Sequence, residues 1–546
     1  MRQFYYSIFL ALAVSCTSAV REEEYLIPYS PVAPGLEDLL HSPVWQAVSP
    51  TVGFHAPWDG LEDVTEFRCF ATDSLFLFRF EVKDSTLALT GDFKGERDVE
   101  PEDRVEIFFS HAGELDTYAG AEMDPAGRVL DYKCTFYRDF DYDWNFSTLE
   151  CRQEIRTDGY SVAGSVTWSE LSELGVDRDG GFLMGAFRAD YRPDGEVNWY
   201  SLKLTDDQQA DFHQPKVFFK ARIDRNACFP MRGVVLSVND LSTADWPVIA
   251  RKNGINTIGT HMLPSEVAGF MDSDKGKEFL RECSDYGIDV EHQLHAMGEL
   301  LPRDLFAEDS TMFRMDRGGR RVADFNCCPH SEKALDIIAS KAAAFAEALP
   351  ATNHRYYLWL DDNSEPCFCP LCREYSASEQ ALIIENRMLE AIRKVDPEAM
   401  LAHLAYQKTM EPPMKVKPAE GIFLEFAPIE REWDRPLTDL EAPGRKGRMS
   451  HKEVLELLEA NLKVFPAEPA VVLEYWLDVS LASDWRKPAV ELPWHPEVFV
   501  SDLETYKSFG IKNFTSFAVY MDSTYFSTFP DRPCLSEYGA VGALLR

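Results

Sequence analysis

Residues 356–375 read YYLWLDDNSEPCFCPLCREY, in which two adjacent carboxylates, Asp361 and Asp362, close an apolar run and Cys367, Cys369 and Cys372 follow. A carboxyl group can protonate a leaving oxygen, and a carboxylate can stabilise positive charge on a sugar ring, so paired acids at a strand end suit glycoside chemistry. The alternative is architectural, since Asp361, Asp362 and Asn363 also suit an Asx turn or the cap of a short helix. The thiols raise a second question. A structural zinc site commonly takes four Cys or His ligands in two separated pairs. No matching C-x-x-C stands elsewhere in the chain, although Cys327, Cys328 and His330 carry further ligand groups. With 12 cysteines and an export leader, disulfides are the simpler expectation, so the sequence predicts no metal and a disulfide-stiffened loop.

Acids at a strand end do chemistry only where other strand ends converge on them. Eight strand-like runs, 232–238, 256–262, 289–295, 356–362, 400–406, 421–427, 470–476 and 513–519, alternate with helical patterns such as 333–349, 380–395 and 451–465. That alternation predicts a (β/α)8 TIM-like barrel over residues 231–546, with its chemistry where strands end and loops begin. The polar residues at these ends are Asp240, His261, His292, His295, Asp361, Asp362, Tyr406, Glu425, Glu474, Tyr475, Trp476, Asp478, Tyr520 and Asp522. Acids beside Trp and Tyr faces, which stack on sugar rings, make sugar cleavage the expected chemistry. Glu425 or Glu474 could serve as nucleophile if the substrate supplies none. His292 and His295 read first as hydrogen-bonded structural groups.

The chain of 546 residues suffices for two or three domains, and a hydrophobic content of 45% can fill more than one core. Over residues 36–222, short alternating runs (74–82, 104–110, 161–168 and 181–191) between turn-rich segments predict an antiparallel β-sandwich. A formal net charge of −36 without a basic cluster argues against nucleic-acid binding. Residues 1–19 read as a signal peptide, because Arg2 precedes an apolar segment from Tyr5 to Val14 that is too short to span a bilayer. The stretch LAVSC is similar to a bacterial lipobox in which Cys16 is acylated, predicting an outer-membrane or cell-surface lipoprotein. Cleavage after Ala19 would instead give a periplasmic or secreted protein. A lipid is the only membrane attachment expected, since no later stretch reaches the ~18 apolar residues of a transmembrane helix.

The segment from Asp361 to Cys372, the helix after it and LAYQKTMEPP (404–413) resemble the bacterial domain of unknown function 4838, over most of residues 231–546. That domain includes glycoside hydrolase family 163, endo-acting β-N-acetylglucosaminidases on complex N-glycans. The resemblance implies retention through substrate assistance, the 2-acetamido oxygen replacing an enzyme nucleophile. It makes Asp361 the residue that polarises the acetamide and Asp362 the general acid. Tyr475 would hydrogen-bond the acetamide and Trp476 would floor a subsite, with Glu474, Glu425, Tyr406, His292 and Asp240 completing the substrate-binding set. Successive strand residues face opposite ways, so both acids reach one sugar only where the strand has already bent into its loop.

Residues 41–50, 65–84, 100–110 and 159–171 are similar, in that order, to a family 9 carbohydrate-binding-module-like sandwich, in which Trp58, Trp144 and Trp199 are candidates for a sugar platform. No cofactor is expected. A structural calcium ion would suit an acid-rich sandwich, although no loop has a decisive ligand spacing. The expected partner is a glycan or glycoprotein. The alternatives are a non-catalytic surface glycan-binding lipoprotein and a uronic-acid-directed glycosidase, which would need basic residues in its pocket.

Overall fold

The computed structural model describes residues 24–51, 54–55, 62–89, 91, 93–203, 211–324, 326–362 and 365–545. The leader with Cys16 lies outside them, as do Trp58 and Asn363.

Alternating apolar residues build two facing sheets from residues 25–224. One is antiparallel with the order Glu150–Arg156, Gly159–Thr167, Leu75–Lys83, Glu66–Ala71. The other, of ten described strands, centres on Arg104–His111 between Phe182–Tyr191 and Thr117–Met123, and Phe219–Asp224 branches off Phe182–Tyr191 with Tyr25–Pro28 parallel to it. The period of two in Leu75–Lys83 sends Phe76, Phe78 and Phe80 between the sheets, where they meet Phe109, Phe182 and Met184. Leu77, on the opposite face, joins Phe70, Ala163, Trp45 and the apolar layer around the barrel.

The second half is a closed barrel of eight parallel strands, taken here in chain order: Met231–Ser237, Thr257–His261, Asp289–His295, Arg355–Trp359, Met400–Ala405, Ile422–Phe426, Val471–Glu474 and Asn513–Phe517. Each falls within three residues of its sequence-read limits. Helices start at local signals. Ser331 accepts the Ala334 N–H to open Glu332–Ala348, and the capping boxes Ser376/Glu379 and Ser450/Glu453 open Ala377–Ile392 and His451–Leu462. The expected alternation breaks once. Residues 406–421, joining the fifth and sixth strands, hold a single 3-10 turn, Gln407–Thr409, and no α-helix. The fold is a closed all-parallel barrel without strict eightfold β/α alternation.

Strand parity sorts the barrel's side chains into two layers. Val235, Tyr357, Trp359, Phe423, Val471 and Leu473 point inward and form one cluster. Val234, Leu236, Val290, Leu294, Leu358, Leu424 and Val472 point outward to the helices and form another.

Candidate functional site

A cavity of about 420 Å³ opens at the C-terminal ends of the barrel strands. Its floor is aromatic. Trp359 from the fourth strand and Phe517 from the eighth flank His261, with ring centroids 5.8 and 5.2 Å away, and Tyr475 lies 5.4 Å from Phe517. The two histidines are fixed by main-chain acceptors. Because a carbonyl can only accept, Nδ1–H of His261 donates to Gln293 O at 2.8 Å and Nδ1–H of His295 donates to Leu360 O at 3.2 Å. Burial, with His295 beside it, lowers the pKa of His261 to about 3, so the ring is neutral and its Nε2 is an acceptor. The exposed Trp485 stands at the rim, 5.5 Å from the Arg445 guanidinium.

Among the described residues three carboxylates line this cavity, Asp362, Asp478 and Glu266. Asp362 lies just past the fourth strand, and Tyr406, just past the fifth, donates its hydroxyl to Asp362 Oδ1 at 3.0 Å. The Tyr406 oxygen itself accepts from Gln407 Nε2 at 2.9 Å, so a short chain of donors holds the carboxyl in place. Asp478 caps the turn Val479–Ala482, its Oδ1 accepting from Ser480 Oγ at 2.6 Å and Leu481 N at 3.1 Å. Burial pushes its pKa up to about 6 against those hydrogen bonds. Tyr475 is buried in the same cavity, and burial, with Tyr406 and nearby carboxylates including Asp478 and Asp362 adding to it, raises its pKa well above the usual value. No lysine or arginine is among the described lining residues.

Asp361 is placed elsewhere. Its Oδ2 binds Arg303 Nη2 at 2.7 Å, its N–H donates to Asn326 Oδ1 at 3.0 Å, and it is absent from the cavity lining. The strand ends at Trp359, so the bend needed to aim both acids at one sugar does occur, but it delivers Asp362 alone.

Of the seven expected substrate-binding residues, Tyr406 and Tyr475 reach the cavity and five do not. Glu474 and Trp476 have outward parity. Glu474 is fully buried against Arg431 at 3.0 Å, and Trp476 donates Nε1 to Asp502 at 2.9 Å. His292 is also outward, on the Thr260 hydroxyl at 2.8 Å. Glu425 is inward but lies below the floor, accepting from Trp359 Nε1 at 2.7 Å, and burial holds its pKa well above the carboxylate range. Asp240 closes the capping box of Val238–Thr243 with Ser237. Asp522 caps Ser523–Thr528 and pairs with Lys487 at 2.7 Å, whereas Tyr520 lines the cavity. Trp359, Trp485, Ser480, Met262 and Glu266 line it without having been singled out in the sequence. Inward parity gives Trp359 away, while the loop residues carry no such signal.

In the sandwich, Trp199 lines a separate cavity of about 360 Å³ with Arg104, Glu106 and Tyr132, and Trp144 packs on Phe146. Outside that cavity Asp84, Asp103 and Asp190 cluster, but Arg188 pairs with Asp84 at 2.7 Å and Asp190 at 3.5 Å. The expected disulfides are not formed. All eleven described cysteines are free, and Cys328 Sγ lies 3.8 and 3.7 Å from those of Cys369 and Cys372, far beyond the ~2.05 Å of a disulfide.

Residues 243–456 match the profile of the domain of unknown function DUF4838. No curated protein matches the chain. Three solved structures illustrate its likenesses. A carbohydrate-binding module of family 9 from Caldicellulosiruptor kristjanssonii, in complex with glucose, is 14% identical, with a TM-score of 0.26 over 36% of this chain and 94% of that one. The GH20 catalytic modules of a pneumococcal exo-β-D-N-acetylglucosaminidase give 8% identity and a TM-score of 0.30 over 58% and 83%. A cyclomaltodextrinase gives 9% identity and a TM-score of 0.35 over 91% and 84%.

Proposed function

We propose that the barrel mouth is the active site of an exported, retaining glycoside hydrolase that cleaves beside N-acetylglucosamine in N-glycan-type chains, with the substrate's acetamide oxygen as nucleophile. Export, with lipidation at Cys16, belongs to the proposal. The observation that carries it is Asp362, a carboxyl group held by the Tyr406 hydroxyl above an aromatic floor at the cavity wall. With Tyr406 on Oδ1, the second oxygen is left to carry the proton that a glycosidic oxygen needs on departure. Asp361 is engaged by Arg303, so orienting the acetamide falls to groups that do line the cavity, Tyr475 and Asp478. The N-acetylglucosamine assignment rests on the resemblance of residues 361–372 and 404–413 to a family of that specificity. A uronic-acid substrate is disfavoured, since the described lining offers no cation to its carboxylate.

Protonation of the leaving oxygen contributes typically about 10²- to 10⁴-fold, and it matters most when the leaving group is poor. Asp362→Asn is therefore expected to lower kcat/KM on complex N-glycans by about that factor while largely sparing aryl glycosides with acidic leaving groups. Equal, small losses on both substrates would overturn the assignment. Glycan binding by a parent protein that cleaves neither substrate would identify a binding protein instead.

A further inference from the structure

We propose that Cys328, Cys367, Cys369 and Cys372 form a tetrathiolate site for one structural zinc ion. All four side chains are buried, and their sulfur atoms lie within 4.8 Å of one another. The Cys328 Sγ distances of 3.8 Å to Cys369 and 3.7 Å to Cys372 carry the argument. Zn–S bonds of about 2.3 Å at tetrahedral angles separate sulfurs by about 3.8 Å. A disulfide would need either of these pairs to close by more than an ångström.

The surroundings suit thiolates. Cys367 Sγ accepts the Met315 N–H at 3.2 Å and faces Arg321 Nη1 at 3.7 Å. Four thiolates on one Zn²⁺ carry a net charge of −2, which the arginine partly offsets, and binding releases the thiol protons. His330 Nδ1 lies 3.2 Å from Cys372 Sγ, placed to donate to that sulfur. The knuckle backbone is held independently. Gln380 Oε1 accepts the Cys367 N–H at 2.8 Å, while its Nε2 donates to the carbonyls of Cys367, Cys372 and Tyr375 at 3.0 to 3.2 Å. Cys327 is not part of the set and packs in the main apolar cluster. The ion would staple the loop bearing Asp362 to the segment between the third and fourth strands, which also supplies Arg303.

Elemental analysis and native mass spectrometry of protein purified under reducing conditions without chelator, after growth with zinc, are expected to find one zinc per chain. Cobalt exchanged into the chain should give sulfur-to-cobalt charge-transfer bands and the intense visible bands of a tetrahedral ion. Cys328→Ser and Cys372→Ser should lose the metal, Cys283→Ser should keep it, and Arg321→Gln should weaken affinity by about 10- to 100-fold. Folded protein without metal, or a disulfide between two of the four cysteines in peptides from a second preparation made without reductant and alkylated at lysis, would overturn the proposal. Zinc retained by both serine variants would do the same. If those variants do not fold, the stoichiometry and cobalt spectrum of the parent decide. None of these readouts depends on glycosidase activity.

Discussion

At the scale of single residues, Asp478 shows how burial sets a charge state inside the cavity. Folded, it takes up its proton near pH 6; unfolded, near the ordinary 3.8. Between those values the folded chain binds more protons than the unfolded one, so stability falls as pH rises from about 4 to about 6. Below that window the penalty is absent, and above it the full cost is on the order of 3 kcal/mol. Asparagine keeps an oxygen for the Ser480 and Leu481 hydrogen bonds but never ionises. Asp478→Asn is thus expected to flatten the decline, gaining on the parent as pH rises. Denaturant unfolding at pH 4, 5, 6 and 7 measures this, and parallel curves would refute it. Asp240, buried and also pushed up to about 6, remains in both proteins and leaves a residual slope.

At the scale of elements, all eight barrel strands were legible because each is a short apolar run bounded by polar loops. Which side chain enters the mouth was legible only through parity. In LEYWLD, Leu473 and Tyr475 face the lumen while Glu474 and Trp476 face the helices, so taking the whole stretch as site residues halves its accuracy. Parity ceases to apply once a strand becomes a loop, which is why Asp361 and Asp362 could not be told apart from the sequence. All members of the cysteine set were visible as candidate ligand groups, but that Cys328 rather than Cys327 or His330 joins the other three is decided by the fold and not by spacing. The outward position of Glu474 has a measurable consequence. Arg431, fully buried, pairs with both Glu474 and Asp502. Removing one member of a buried ionic network leaves charge uncompensated, so Arg431→Met should cost about 3–5 kcal/mol of stability. The protein that remains folded should keep its kcat; a loss of kcat at unchanged stability would place this network in the catalytic machinery.

At the scale of the whole molecule, the two halves share a core. The short helix Val44–Ala47 packs against Pro533–Leu544, and Trp45 is buried against Phe70 with ring centroids 5.1 Å apart. Trp45→Ala is expected to cost about 3–5 kcal/mol, as large-to-small changes in cores do. The lowered Tm should appear in the barrel's unfolding as well as the sandwich's, and calorimetry showing only a sandwich transition displaced would contradict a common core. The same contact bears on how the chain is made. Trp45 leaves the ribosome long before Pro533–Leu544, the helix that packs on its own, is translated. At about 5–20 residues per second, that apolar surface waits roughly half a minute to a minute and a half for its partner. Nascent chains of this protein therefore expose a sticky flank throughout that interval, and holding it apart from neighbouring chains is work for chaperones before it is work for the fold.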